Sequence, residues 1–556
     1  MTLTQQSARL ADAGALPKHS VEVLTDRCAG CQECYVRCPT AAIGFDELNW
    51  IVTVDDALCV ACGQCERTCP FSAIKVHGDP EVDASHRHDI AHLSIPALQP
   101  WEETRQGFQT LEEAMAEAAR CLQCPDPTCV RGCPAHNDIP SMMRSVVAGE
   151  IDAARTAFER TSHIGLICSR VCNQSAQCEG ACSWNLAGAE PLAIGLVERY
   201  VFDHSRPHLP TAAPAGSSVA IVGSGPAALG ASWELVAAGV KVTVLEAAET
   251  PGGLLNHGIP EFTLPITKVS EQWETLQSLG VELVTSHRVE EAELRELGLA
   301  NSAVILAHGA GSPIRPPVKG IDSPIVSDAM EFLSKAGEAL NEMRDLPELE
   351  GKSILVIGAG NTAMDVGRMA IRFGAKPLCV EWVAERFGKV RRDELAEARE
   401  EGVQVRFLTT ATTLEGNKVT LIRTKHEDAS KLPEVIPGTE EVVYADMVIL
   451  ALGYRLTGEF PAEAPKAPVR YTPPALIDRI WVASGIFNGV DEGAIGNLSI
   501  ARDELTHKAA EPTYSNFYTV GDALIGPSTV VEAMAHGREA ARAIIATLVK
   551  NTAPMQ

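Results

Sequence analysis

This 556-residue sequence predicts a multidomain α/β protein built from two cysteine-rich modules and two glycine-turn βαβ units. Two observations carry that prediction. Sixteen of the seventeen cysteines fall into four groups of four. A buried-strand pattern followed by G-x-G-x-x-A and a helical pattern occurs twice, in SVAIVGSGPAALG and in SILVIGAGNTAMD. The charge balance adds an exclusion: 47 basic against 72 acidic residues give a net charge of −25, which disfavours nucleic acid or an anionic membrane as partner.

The length allows about three to five domains. The N-terminus, MTLTQQSARLADAGALPKHS, has no apolar core of signal-peptide length. No run of about 18 apolar residues occurs, so a soluble, cytoplasmic chain without a membrane partner is expected. In that reducing compartment, grouped cysteines serve as metal ligands rather than disulfides. The ungrouped Cys379 lies in the apolar stretch PLCVEW and reads as a small core residue.

Residues 1–20 read as a tail. The first cysteine run is Cys28, Cys31, Cys34 and Cys38 before Pro39, and the second is Cys59, Cys62, Cys65 and Cys69 before Pro70. Both have the spacing C-x2-C-x2-C-x3-C-P, offset by 31 residues. Three thiolates at this spacing wrap one face of a 4Fe-4S cubane while the fourth, fixed by proline, turns to the neighbouring cluster. Crossed ligation follows: Cys28, Cys31, Cys34 and Cys69 for one cluster, Cys59, Cys62, Cys65 and Cys38 for the other. Zinc sites instead use separated pairs. Residues 21–80 thus resemble a bacterial two-cluster ferredoxin.

Residues 81–110, rich in His and Pro, show no sustained periodicity and read as a solvated linker. A helical pattern then leads into Cys121, Cys124, Cys129 and Cys133, in CLQCPDPTCVRGCP; Cys168, Cys172, Cys178 and Cys182 follow in CSRVCNQSAQCEGAC. Residues 111–205, which end in EPLAIGLVERYV and the residues just after it, resemble the α-helical iron-sulfur domain of glutamate synthase small subunits and dihydropyrimidine dehydrogenases. That resemblance implies two more 4Fe-4S clusters. Cys121, Cys124, Cys129 and Cys182 would hold one; Cys133, Cys172 and Cys178 would hold the other, completed by Glu198 or by Cys168. The resemblance favours Glu198, thiolate softness favours Cys168, and a surface pairing with Arg199 is the competing role for Glu198.

A Pro/Ala-rich linker, 206–217, precedes the first βαβ unit. Val219 to Val222 read as a buried parallel strand. Gly223 permits the tight turn, Gly225 lets the backbone approach a pyrophosphate, and Ala228 keeps the helix close to the strand. The second strand ends at Glu246, 23 residues after Gly223, where a carboxylate can bind ribose hydroxyls. The unit recurs with Gly358, Gly360 and Ala363, followed by Glu381 at the same 23-residue offset. These are two Rossmann-like dinucleotide-binding domains. The first, with Gly252, Gly253 and Leu254 in PGGLLNHGIPEFTLP, resembles the FAD domain of the glutamate synthase small-subunit family, and Gly521, Asp522 and Thr529 resemble its closing FAD motif. The second resembles the family's inserted NAD(P) domain, with Asn361 and Thr362 beside the phosphates. The expected layout is a first FAD-binding segment at 218–350, the NAD(P)-binding domain at 351–455 and a second FAD-binding segment at 456–556.

Family members that use NADPH carry paired arginines after the second strand of the inserted domain, whereas this chain reads CVEWVAERFGK. A carboxylate at Glu381 accepts ribose hydrogen bonds and repels a 2′-phosphate. NAD(H) is therefore expected over NADP(H), with Arg386, Arg391 and Arg392 either opposing that choice or forming a solvated helix start.

Hydride exchange between nicotinamide and FAD needs positioning rather than acid–base catalysis, so no catalytic side chain is assigned. His308 and His536 read as packing or cofactor-adjacent residues. The cluster count implies relay of single electrons to a separate acceptor. The layout resembles the flavin and iron-sulfur subunits of 2-oxoacid (phenylglyoxylate-type) oxidoreductases, which makes such a protein the expected partner. A glutamate synthase small-subunit role, a stand-alone NAD(P)H:ferredoxin oxidoreductase and a non-enzymatic electron-transfer scaffold are the alternatives.

Overall fold

The computed structural model describes residues 20–77, 101–342, 348–455 and 516–552. Residues 1–19 of the expected tail, most of the linker at 81–110 and much of 456–556 lie outside them. Two compact units emerge, one including residues 105–210 and the first cysteine module, the other holding both glycine-turn units.

In the first module β1 (Ser20–Val23) pairs antiparallel with β4 (Ile74–His77), and β2 (Ile43–Asp46) with β3 (Ile51–Val54). The 31-residue repeat extends to the backbone. Gly30 and Ala61, Gln32 and Gly63, and Ala41 and Ser72 all have positive φ, between 50° and 67°. A left-handed non-glycine residue costs about 1–2 kcal/mol, so the recurrence of this strain marks turns imposed by the ligand spacing.

The second module is helical. Thr110 starts the helix Leu111–Ala119 with a capping box to Glu113, which stabilises such a start by about 1 kcal/mol. The helices Gly165–Val171 and Ile194–Asp203 are locked together by Arg170, which donates to both carboxylate oxygens of Asp203 at 3.0 and 2.8 Å. Gly165 lies against the Phe202 ring, where an added Cβ would come within 2.3 Å. That close approach sets Cys168 and Cys172 against the helix bearing Glu198.

The other unit contains two parallel sheets. Along the chain run β5 (Ser218–Val222), β6 (Lys241–Leu245), β7 (Glu282–Val284), β8 (Ala303–Leu306), β9 (Ser312–Pro313), β10 (Val326–Asp328), β11 (Ser353–Ile357), β12 (Lys376–Glu381) and β13 (Gln404–Phe407). An antiparallel excursion follows, β14 (Thr409–Glu415), β15 (Lys418–Lys425), β16 (Glu434–Val435) and β17 (Glu441–Tyr444), then β18 (Met447–Leu450), β19 (Tyr454–Arg455) and β20 (Phe517–Thr519). The first sheet has the order β20-β8-β5-β6-β7 and the second β10-β18-β11-β12-β13. Central strands such as β5 and β11 are almost wholly buried, as both faces of a parallel sheet must be. Return of β20 beside β8 makes the second sheet an insertion within the first.

Two expectations change. The 218–350 segment does not belong wholly to the first sheet: β10 hydrogen-bonds in parallel to β18, and Phe332, Leu333 and Ala336 of the following helix, Ala329–Glu342, join the second core. Nor is the whole of 81–110 a solvated linker. Trp101 packs on Phe373 at 5.3 Å, and Thr104 donates its N–H to the Phe262 carbonyl at 2.9 Å.

Candidate functional site

The cysteines of the first module group across the two runs. Cys34 is coupled electrostatically to Cys69 and Cys31; Cys59, Cys62 and Cys65 are each coupled to Cys38. Burial pushes the Cys34 and Cys62 thiols up to about 11 and Cys65 to about 12. Such pockets penalise a lone thiolate and suit one neutralised by iron. The Cys38 and Cys69 sulfurs each accept an N–H, from Ala42 and Ala73, both at 3.2 Å. These matched N–H···S contacts are the kind that tune a cluster's potential. Cys28 is half-buried and Cys31 exposed.

The second module repeats the arrangement with helix ends as holders. Cys129 lies in the short helix Thr128–Gly132, Cys133 and Cys172 each follow a helix in extended backbone, and Cys182 precedes the helix Ser183–Leu186. Cys129 is coupled to Cys182, Cys121 and Cys124. The Cys124 sulfur lies 3.5 Å from the Ser183 hydroxyl, and burial pushes its thiol up to about 12. The other set contains both candidates for its fourth position: Cys178 is coupled to Cys133, Glu198 and Cys172, and Cys168 to Cys172, Glu198 and Cys133.

Glu198 separates itself from Cys168 by what it lacks. It is only 5 % exposed, and its Oε1 is buried without a hydrogen-bond partner. Burial, then the nearby Glu179, raises its carboxyl well above the usual range. An unpaired buried carboxylate oxygen costs several kcal/mol unless a cation meets it, so this donor set fits an iron site. The surface role is removed as well, since Arg199 donates to the Arg105 carbonyl at 2.7 Å and pairs with Asp203 at 3.5 Å. Among the described residues, no three His, Cys, Asp or Glu side chains converge tightly enough for a single metal ion.

In the first glycine turn Gly223 has φ +97°, and a Cβ there would strike the Ala307 carbonyl at 2.6 Å. Gly225 caps the helix Pro226–Ala237 with nothing within 4 Å of a would-be Cβ. A Cβ on Gly253 would meet Gly225 Cα at 3.1 Å, so the two bare glycines flank a cradle that side chains would fill. Ala228 is fully buried beneath it. Glu246 accepts from the Ser224 N–H at 2.9 Å and the Ala248 N–H at 2.8 Å, while the Ser224 hydroxyl accepts from the Gly252 N–H at 2.8 Å. Ser224, absent from the sequence-based set, therefore ties the turn, the terminal acid and the Gly252 loop together. Leu254 opens the next short helix and is half-exposed.

The closing motif reaches the same place. A Cβ on Gly521 would lie 3.1 Å from the Ala227 Cβ. Asp522 accepts from the Ser528 hydroxyl at 2.7 Å, and burial raises its carboxyl. Thr529 accepts from the Glu532 N–H at 3.4 Å at the start of the helix Val530–Thr552. That helix packs on Pro226–Ala237 through Gly537 and Gly230, and Arg538 donates to Glu234 at 2.6 Å. His536 is mostly buried, and burial lowers its pKa.

The second turn copies the first. Gly358 has φ +118° with the Ala451 carbonyl 2.4 Å from a would-be Cβ; Gly360 is open and caps the helix Asn361–Arg372, which carries Thr362 in its first turn and the buried Ala363. Glu381 accepts the Ala359 N–H at 3.0 Å. Asn361 accepts the Arg391 N–H at 2.8 Å. Arg391 is not part of a solvated helix start: it is buried and bound to Asp393 and Glu394 at 2.6 and 3.6 Å. Arg386 and Arg392 are exposed. Cys379 is a core residue with no exposure.

Three family models match the chain: a 4Fe-4S dicluster domain over residues 27–73, dihydropyrimidine dehydrogenase domain II with its 4Fe-4S cluster over 97–209, and pyridine nucleotide-disulphide oxidoreductase over 217–469. The glutamate synthase [NADPH] small chain of Halomonas elongata is 33% identical over 453 residues, 78% of this chain and 90% of the relative. The putative oxidoreductase AegA of Escherichia coli is 29% identical over 602 aligned positions, 95% of this chain and 86% of the relative. The NAD-dependent dihydropyrimidine dehydrogenase subunit PreT of Escherichia coli is 29% identical over 439 residues, 78% and 93% of the two chains. With both glycine turns, the closing motif and the grouped cysteines in place, the chain belongs to the glutamate synthase small-chain family and is an iron-sulfur flavoprotein oxidoreductase with FAD- and NAD(P)-binding domains.

Proposed function

We propose that this chain is the electron-transfer subunit of a larger oxidoreductase, exchanging hydride with NAD(H) at FAD and relaying single electrons through four 4Fe-4S clusters to a partner. The observation that supports this is four groups of mutually coupled cysteines in a chain with two glycine turns of dinucleotide-binding type. So many candidate relay sites suit an acceptor set apart from the flavin. Bound FAD supplies the conversion between a two-electron hydride and single electrons. The residues bind and orient: Gly223, Gly225, Gly252, Gly253 and Gly521 clear backbone around the first nucleotide, and Ser224 holds Glu246 at its ribose end. Gly358, Gly360 and Asn361 do the same for the second.

The ligand sets are Cys28, Cys31, Cys34 and Cys69; Cys59, Cys62, Cys65 and Cys38; Cys121, Cys124, Cys129 and Cys182; and Cys133, Cys172, Cys178 and Glu198. The orphaned Glu198 oxygen supports the last choice over Cys168. The preference for NAD(H) rests on Glu381, whose carboxylate stands at the turn as Glu246 does.

The small-chain relatives make a glutamate synthase large subunit at least as well supported a partner as a 2-oxoacid oxidoreductase. Anaerobic pull-down of the tagged chain, followed by assays of the copurified protein with 2-oxoacid and with glutamine plus 2-oxoglutarate, distinguishes the two. Recovery of no partner, with full activity toward soluble ferredoxin, would instead support the stand-alone enzyme.

A further inference from the structure

The two halves of the first cysteine module share a backbone but not a surface. At positions related by the 31-residue repeat, Tyr35 and Val36 stand where Glu66 and Arg67 stand in the second half. Glu66 is occupied internally: it accepts from Lys75 Nζ and from the Val76 N–H, both at 3.0 Å. Arg67 donates to the Cys62 carbonyl at 2.6 Å. Tyr35 and Val36 instead face solvent, 48% and 64% exposed. Cys31 is exposed where its counterpart Cys62 is buried.

The apolar surface continues from there. The helix Glu33–Val36 packs on β2. Phe45 of β2 meets Trp50 edge-on at 5.3 Å, and Trp50, 61% exposed, lies over Gly30 beside Cys31. Leu48 is 96% exposed at the tip of the β2–β3 hairpin, held there by its N–H to Asp46 at 2.9 Å. Glu33 and Glu47 are exposed in the same segments, and Arg37 is drawn to Glu33 at 4.0 Å. Between residues 21 and 77 there are eight Asp and Glu against four Lys and Arg. An apolar centre with an acidic edge beside a solvent-reaching ligand set is a surface for a partner of the opposite charge.

The second half exposes one large apolar side chain, Phe71, at 48%. Cys62 is buried and acts electrostatically on Cys124 of the helical module, whereas Cys31 is exposed. We infer that the face bearing Cys31, Tyr35, Val36, Leu48 and Trp50 docks a soluble redox protein whose own centre lies under an apolar patch ringed by lysines. This rests on the electron-relay reading above and names the outlet's partner by its chemistry.

The test uses the anaerobic holoprotein and mitochondrial cytochrome c, a lysine-ringed one-electron acceptor, as probe. Binding is measured by biolayer interferometry across salt concentrations, alongside NADH- and NADPH-driven reduction. Val36→Lys and Leu48→Lys should each weaken binding about tenfold and flatten its salt dependence, with cluster EPR signals retained. Leu432→Lys, 77% exposed in the other unit, should leave binding unchanged. Equal affinity in wild type and both patch variants, or no binding of cytochrome c by wild type, overturns the docking inference. So does sedimentation showing that wild type self-associates and the patch variants do not, since a second copy is then the occupant. Failure of NADH and NADPH to reduce FAD in wild type would instead sink the relay reading, a result the binding measurement does not depend on.

Discussion

Cys34 is electrostatically coupled to Cys69, the last cysteine of the other run. Crossed ligation, in which each proposed set is closed by a residue from the other half, requires that pairing. Cys69→Ala should remove the same EPR signal as Cys28→Ala, and Cys38→Ala the same signal as Cys59→Ala. Each change should lower iron content by about one cluster's worth. Pairing of the losses within each run instead would show uncrossed ligation.

Glu198→Ala should abolish or shift the EPR signal of one cluster in the helical module, because its orphaned oxygen has no other partner. Cys168→Ser should leave that cluster assembled. Iron content and EPR of the two variants decide it, and the reverse pattern would make Cys168 the ligand.

Glu381→Gln should remove the repulsion of a 2′-phosphate at the second turn. The ratio of kcat/KM for NADPH over NADH should rise about tenfold, corresponding to roughly 1.4 kcal/mol, in anaerobic FAD-reduction assays. An unchanged ratio would place coenzyme selection elsewhere, with the exposed Arg386 and Arg392 as the next candidates.

Arg368 is 2% exposed and pairs with Glu397 at 2.9 Å and Glu401 at 2.8 Å, while its Nη2 also donates to the Thr104 hydroxyl at 3.1 Å. Arg368→Met should cost about 3–5 kcal/mol by leaving the buried Glu397 without its guanidinium partner and Glu401 with Arg372 alone, seen as a lower melting temperature of the nucleotide-binding unit.

Burial alone would push the Glu401 carboxyl up, but hydrogen bonds from Arg372 and Arg368 outweigh it and hold it below the ordinary value of 4.5. The folded state therefore binds this proton less readily than the unfolded chain. Its stabilisation is present above about pH 4.5 and is lost as pH falls through the depressed value. Glu401→Gln should flatten the pH dependence of unfolding in that acid range; a profile as steep as wild type would contradict the assignment.

The cysteine runs and both glycine turns were legible because their information is local: a thiolate spacing, a strand, a glycine with no room for Cβ. Ser224 was not, since one serine after a glycine carries no periodic signal and its value lies in touching both Glu246 and Gly252. Arg368, Glu397 and Glu401 carry no local pattern that announces their burial, and only packing brings them together. The choice between Glu198 and Cys168 depends on how two helices pack around Gly165, which spacing alone does not encode. The strand β10 was placed with the wrong sheet because three residues give too short a pattern to reveal their partner.

The relay reading stands or falls on electrons entering from NAD(P)H at FAD and passing into the clusters. Anaerobic stopped-flow mixing of the holoprotein with NADH, followed by freeze-quench EPR, watches both steps. Bleaching of FAD absorbance should come first, then reduced 4Fe-4S signals within the same single turnover. FAD that bleaches while every cluster stays oxidised, or clusters that reduce in protein stripped of FAD, would contradict it.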